Sequence, residues 1–317
     1  MDANKKKWLI RAIQITLAIF AVGCLVGALC FRAAKNSDVE KYDKTIEEYT
    51  IQNKEEYPED PFPSPTEPEE DVEPEATPTP EPPTPYEIGA DFEGLTSVNS
   101  EVVGWVSIPG TSVNFPFVQG EDNTKYLSLD WDETSNTAGA AFLDCRADLT
   151  DASKYVIYGH AMPNTGLMFS SVLNYQDKSY YEAHPSIYLS FASDPIGRRQ
   201  TGSDGLLQPE GQYEFQIISV NKVDSTEEEV IGDFYWTKET DRSELVNFAP
   251  MVRDASLYDI PFQGTPYKYV MLSTCAHPGY SSDEKVLVIG VLTEESLEDE
   301  PADTTAEATP APEEGGD

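Results

Sequence analysis

The run Tyr267-Lys268-Tyr269-Val270-Met271-Leu272-Ser273-Thr274-Cys275 decides how the rest of the chain is read. Aromatic and β-branched residues open it, which is the pattern of a strand, and small hydroxyl residues and a cysteine close it. A second run, Lys285-Val286-Leu287-Val288-Ile289-Gly290-Val291-Leu292, reads as the next strand. Pro278, Gly279 and Asp283 mark a short loop between the two. A rigid strand fixes the cysteine and the mouth of the loop leaves it reachable, as a nucleophile requires.

Upstream, strand-like runs recur at Trp105–Ile108, Ala140–Leu143, Tyr155–Tyr158, Ser186–Phe191 and Tyr213–Val223, most of them bounded by turn residues. Leu95, Val98 and Val102, at near-helical spacing before Gly104, predict a short helix. Met168, Phe169, Val172 and Leu173 predict another after Gly166. Leu245, Phe248 and Val252 share one face of a third, with Asp241 and Glu244 as a capping-box-like start. Tyr180 to Pro185 reads as a helix end or turn, and the polar stretch Arg198 to Gly211 as a long loop. Many short strands with a few small helices predict a decorated β-barrel over residues 88–294.

The flanks have a different composition. Residues 1–35 carry Lys5, Lys6, Lys7 and Arg11, then an uncharged run from Ile13 to Phe31. About 19 residues at about 1.5 Å each span about 28 Å, close to a bilayer core of about 30 Å. An uncleaved transmembrane anchor is expected, with a cytoplasmic N-terminus and the remainder outside the cell. Residues 36–87 are rich in Glu, Asp, Pro and Thr and read as a disordered acidic linker, with some helical potential between Asp38 and Glu56. Residues 295–317 read as a disordered acidic tail.

The formal net charge of −36 opposes phosphate backbones, so no nucleic-acid partner is expected. Of the 4 cysteines, Cys24 and Cys30 lie in the apolar run, and only Cys145 and Cys275 fall in the domain, so there is no disulfide framework. Neither CxxC nor HExxH occurs, and neither metal nor cofactor is expected.

A thiol with an ordinary pKa near 8.5 is only a few per cent thiolate at neutral pH, and a nearby imidazole or fixed cation corrects this. The chain has 3 histidines. His160 ends the strand-like run Tyr155-Val156-Ile157-Tyr158-Gly159, and Gly159 leaves room for close approach. On position it is the best partner for Cys275. His184 and His277 are expected to face solvent, and Cys145 and Asp144 to be structural. Trp105 and Trp236 read as core or groove wall.

These residues carry a resemblance. Tyr158-Gly159-His160-Ala161-Met162, Met168-Phe169 and Leu272-Ser273-Thr274-Cys275 are similar to the signatures of class B sortases. So, in order, are Gly104-Trp105-Val106-Ser107-Ile108-Pro109-Gly110-Thr111, Gln119 through Leu127, and Gly139-Ala140-Ala141-Phe142-Leu143-Asp144. The resemblance covers nearly all of residues 90–292. It implies an eight-stranded β-barrel and a membrane-anchored cysteine transpeptidase. Such an enzyme cleaves a sorting signal of LPxTG or NPxTN type after threonine, holds a thioacyl intermediate, and passes the acyl group to a peptidoglycan cross-bridge amine or a pilin lysine. Cys275 would then be the nucleophile and His160 the proton donor and acceptor. Asn123, Leu127, Ser273 and Thr274 would contact the signal.

One departure matters. The family places an arginine ten residues after the cysteine, and position 285 here is lysine. Arginine presents a planar fork, whereas lysine presents a point donor. Three readings stay open: Lys285 serves, another arginine such as Arg198, Arg199 or Arg253 serves, or the domain is attenuated or only binds.

Overall fold

The computed structural model describes residues 40–51, 89–162, 165–203, 205, 208–238, 242–276 and 283–298. The apolar run 13–31, most of the expected linker and His277 lie outside them. Among the described residues, no helix is long and apolar enough to cross a membrane.

Eight strands close into a barrel: β1 (Val102–Ser107), β2 (Asn114–Val118), β3 (Ala141–Leu143), β4 (Lys154–Tyr158), β5 (Ser186–Phe191), β6 (Gln212–Asp224), β7 (Pro266–Cys275) and β8 (Glu284–Thr293). Hydrogen-bonded neighbours run β6–β8–β7–β4–β3–β2–β1–β5, and β5 pairs back onto β6. The β2–β3 and β4–β7 pairs are parallel. The helices are α1 (residues 40–49), α2 (Phe92–Val98), α3 (Lys178–Ala183), α4 (Glu228–Phe234) and α5 (Arg242–Asp254).

Strand periodicity sorts the side chains into two sets. On β7, Val270 and Leu272 join the barrel interior with Tyr155 and Ile157 of β4 and Val286 and Val288 of β8. Tyr269 and Met271 point outward with Val156, Leu287 and Ile289, and are covered by Leu245, Phe248, Ala249 and Val252 of α5. Each fully buried aliphatic or aromatic side chain contributes about 1.5–3 kcal/mol, so both faces of these strands are strongly specified.

Some elements differ from expectation. β2 contains Pro116, a residue that argues against a strand because it donates nothing to a ladder. Here Pro116 pairs with Trp105 of β1, and pairing with β3 starts only at Phe117. Val102 opens β1 and does not extend α2. The helix expected after Gly166 is instead a hairpin, Ala161–Met162 with Leu167–Met168, followed by a 3-10 turn at Ser171–Gln176. Ser170 accounts for this locally: its hydroxyl accepts from Met162 N–H at 2.8 Å and donates to the Leu167 carbonyl, bonds that compete with a helix.

The linker and tail boundaries also move. Residues 40–51 fall in the expected linker yet are docked. Tyr42 donates to the Ser112 carbonyl at 2.6 Å and packs edge-on against Phe115. Lys41 bridges Asp130 and Asp132, and Tyr49 packs on Trp131. Thr50–Ile51 pairs with Gly89–Ala90. At the other end, Leu297, within the expected tail 295–317, is buried and bridges Gln200, and Glu298 N–H donates to the Arg199 carbonyl. The folded unit therefore runs through Glu298.

Two lysines are buried in strands. Lys154 of β4 is fully buried, donates to the Phe234 carbonyl and lies 3.8 Å from the Trp236 ring centre. Lys268 of β7 donates to the Ala152 carbonyl, and burial lowers its pKa from 10.5 to about 8. The unfolded chain thus holds this proton to higher pH than the folded one, and folding gains stability as pH rises from about 8 to 10.5. In paired thermal melts, the midpoint of Lys268→Met relative to the native chain should fall steadily across that window. A parallel offset would remove the assignment.

Candidate active site

Three strand ends deliver the site. β4 and β7 run parallel with Tyr158 aligned to Ser273, and Gly159 N–H donates to the Ser273 carbonyl at 3.2 Å. His160 and Cys275, each two residues further on, therefore leave the barrel at the same rim. β8 runs antiparallel to β7 and pairs Lys285 with Cys275. Alternation decides the face: Tyr269 and Met271 point outward, so Ser273 and Cys275 do too. By the same parity Lys285 follows Leu287 and Ile289, and His160 follows Val156 and Tyr158.

Beyond the cover of α5 this outer face opens into a cleft of about 380 Å³. Asn123, Leu127, His160, Ser273, Thr274, Cys275 and Lys285 all line it. The structure thus brings into one cavity the seven site residues that the resemblance pointed to. Lys285 Nζ donates to Cys275 Sγ at 3.1 Å. Both the thiol and the amine are half-buried. His160 Nε2 lies 3.0 Å from the Leu127 carbonyl. A carbonyl can only accept, so Nε2 carries the hydrogen and Nδ1 is left to exchange a proton.

The wall is built from rings and a buried carboxylate. Tyr158 and Tyr235 lie parallel with centroids 6.2 Å apart. Tyr158 donates to Asp144 at 2.8 Å, and Tyr235 shares a hydrogen bond with Ser273 at 3.0 Å. Burial works to raise the Asp144 pKa, but hydrogen bonds from Arg146 and Tyr158 hold it below the usual carboxylate range. Arg146 clamps Asp144 through Nε and Nη2 and also donates to the Tyr235 carbonyl, so it ties the α4 wall to the barrel.

Several expectations are corrected here. Thr274 lines the cleft, but its parity matches Val270 and Leu272; the residue is 2% exposed, and its hydroxyl has no partner among the described residues. His184 faces the interior, not solvent: its Nδ1 lies 2.9 Å from the Pro109 carbonyl and its ring packs on Tyr180. None of the alternative arginines lines the cleft. Arg198 pairs with Glu294, Arg199 donates to the Gln208 carbonyl, and Arg253 pairs with Asp259. The sequence reading missed Arg146, Tyr235 and Ile231, which do line it. An Asp-x-Arg at a strand end was the signal for Arg146; Ile231 lies on a helix of 7 residues, too short for its apolar spacing to stand out.

Gly159 is required by close approach. A Cβ there would sit 2.7 Å from the Phe169 ring, which is fully buried and cannot yield, while Phe169 N–H holds the His160 carbonyl at 2.9 Å. Gly159→Ala should cost about 1–3 kcal/mol of stability by overpacking. Chemical denaturation checks this, and the double variant with Phe169→Leu should recover much of the loss.

A strand-borne thiol, facing an ammonium across the ladder and sharing an open cleft with an imidazole, is the equipment of a cysteine-dependent acyl-transfer enzyme. Residues 106–293 match the family model for the sortase domain. Sortase B of Staphylococcus aureus is 28% identical over 200 residues, covering 62% of this chain and 72% of that protein. Sortase B of Listeria monocytogenes is 28% identical over 194 residues, covering 60% and 68%. A solved sortase B complexed with triglycine superposes with a TM-score of 0.52 at 25% identity, covering 63% of this chain and 84% of that one. The chain belongs to the sortase family, in its class B, and is a cysteine transpeptidase.

Proposed function

We propose that the chain cleaves a C-terminal sorting signal of LPxTG or NPxTN type after threonine and joins the threonine carbonyl to an amine of the cell wall or a pilin. In this reading it acts outside the cell from a single membrane anchor at residues 13–31. The observation that carries it is the rim geometry: Cys275, Lys285 and His160 share one outer face at one end of three adjacent strands. Cys275 thiolate adds to the threonine carbonyl, and Lys285 faces the oxyanion that forms. Collapse breaks the peptide bond, and His160 gives its proton to the departing amine. The acceptor amine then attacks the thioester, His160 takes its proton, and thiolate leaves.

Asn123, Leu127 and Ser273 line the groove that the signal would occupy. Asn123 already spends its carbonyl oxygen on Cys145 N–H at 2.8 Å, so its amide group is the part that faces a ligand. Leu127 is exposed and offers an apolar contact. A binding-only or attenuated domain is the competing reading, because lysine replaces arginine; the 3.1 Å contact between Lys285 and the thiol favours the working enzyme.

The test is a quenched peptide library of LPxTG and NPxTN signals with the full-length protein, analysed by product mass with and without triglycine. Triglycine is chosen because a sortase B has been solved in complex with it. Cleavage after threonine and ligation to triglycine are expected. Absence of turnover across the library would overturn the reading, and product that only ever gains water would make it a hydrolase.

A further inference from the structure

Most of the cleft serves the transfer just described, but one of its groups has a chemistry that the expected arginine lacks. A guanidinium stays charged and is no acyl acceptor, whereas lysine is a primary amine whose neutral form is a good nucleophile. Here that amine lies 3.1 Å from the sulfur that carries the acyl group. The carbonyl carbon of a thioester is bonded to that sulfur, so rotation about the side-chain bonds can bring it within the range of about 3–3.5 Å that defines a near-attack pair. The ladder pairing of Cys275 with Lys285 holds the two side chains side by side, and both are half-buried and line the open cleft.

We propose that Lys285 is an internal acyl acceptor: when no external amine arrives, the acyl group moves from Cys275 sulfur to Lys285 Nζ and stays there as an amide. The inference rests on the reading of Cys275 as thioacyl carrier. In the step, the N–C bond forms and the C–S bond breaks. The ammonium gives up two protons in all. One ends on sulfur as the thiol, and the other goes to solvent. No oxidant, reductant or further reactant is needed.

Two physical points favour the step. In the free enzyme the amine donates to the Cys275 sulfur, and a thioester sulfur is a poorer hydrogen-bond acceptor, so this contact weakens at the moment the acyl group arrives. A group held in place also reacts as though at high concentration: even about 1 M effective concentration, far below the best intramolecular cases, exceeds a millimolar acceptor by about 10³-fold. The outcome switches the enzyme off. An amide at Lys285 removes the cation beside the thiol and fills part of the cleft. An enzyme of this build would therefore shut down when signals are plentiful and acceptors scarce, whereas one with arginine can only wait or hydrolyse.

The experiment follows the adduct by mass. Full-length protein is incubated with a cleavable sorting peptide without amine, treated with hydroxylamine to strip thioesters, and mapped by tandem fragmentation. The native chain should retain an acyl group on Lys285, at least about 10-fold above Lys285→Arg, whose adduct hydroxylamine removes. Triglycine added at the start should suppress it. In parallel, p-nitrophenyl acetate acylates the thiol without any sorting signal. Acetyl-Lys285 should then form in the native chain and be absent from Cys275→Ala. A fully hydroxylamine-labile adduct in both arms overturns the inference, as does equal acetylation of Lys285 in Cys275→Ala. Peptides that are never cleaved, together with acetyl transfer that succeeds, would instead fault the sorting-signal reading alone.

Discussion

Cys275→Ala is expected to lower turnover of a quenched sorting peptide by about 10⁴-fold or more while the fold is kept. The residual path is attack by water, with no covalent intermediate and no leaving group matched to the wall of the cleft. The fold should survive because the thiol is only half-buried and is hydrogen-bonded by the Lys285 amine, not by the core. Thermal melting of the variant should match the native chain within a few degrees. Retained cleavage in a sample free of native enzyme would remove Cys275 from the chemistry.

The second large effect belongs to Lys285→Met, which keeps the length of the side chain and removes its charge. Loss of a donor aimed at a developing oxyanion costs about 10²–10³-fold in kcat, and KM should move little because the ground-state carbonyl is neutral. A kcat within twofold of native would mean that the 3.1 Å contact is incidental. Lys285→Arg addresses the attenuated reading: a gain of a few-fold fits a lysine already at work, and a gain of orders of magnitude marks the native domain as impaired.

The legible parts of this molecule are those where side-chain period and burial agree. Residues 266–275 and 284–293 alternate between two buried faces, so they read as strands at once, and the thiol and the cation are attached to their ends. His160 was reachable because it follows such a run directly. Asn114–Val118 was hidden by one proline that the sheet accommodates next to a partner on one side only. The helix at 40–49 agrees with the helical potential read between Asp38 and Glu56; its docking was not legible, because Tyr42 and Tyr49 find their partners, Phe115 and Trp131, far away in sequence. Arg146 escaped because a residue in a turn obeys no period, and its role follows from a carboxylate and a carbonyl, the second of them distant in sequence. Likewise, nothing in the periodicity of β4 distinguishes a strand lysine that is solvated from Lys154, which is enclosed by Trp236 and Phe248.

The opposition of Cys275 and Lys285 across two neighbouring strands has a consequence for how such enzymes are compared. What keeps the two atoms together is strand pairing, not the number of residues between them. The stretch that joins them can grow or shrink by insertion without disturbing either, provided both strands hold their places. A deletion inside the last strand is another matter: moving it by a single residue would bury the amine among Val270 and Leu272 and push an aliphatic side chain into the cleft. A cationic partner in a divergent homologue should therefore be sought opposite its cysteine, whatever the count along the chain.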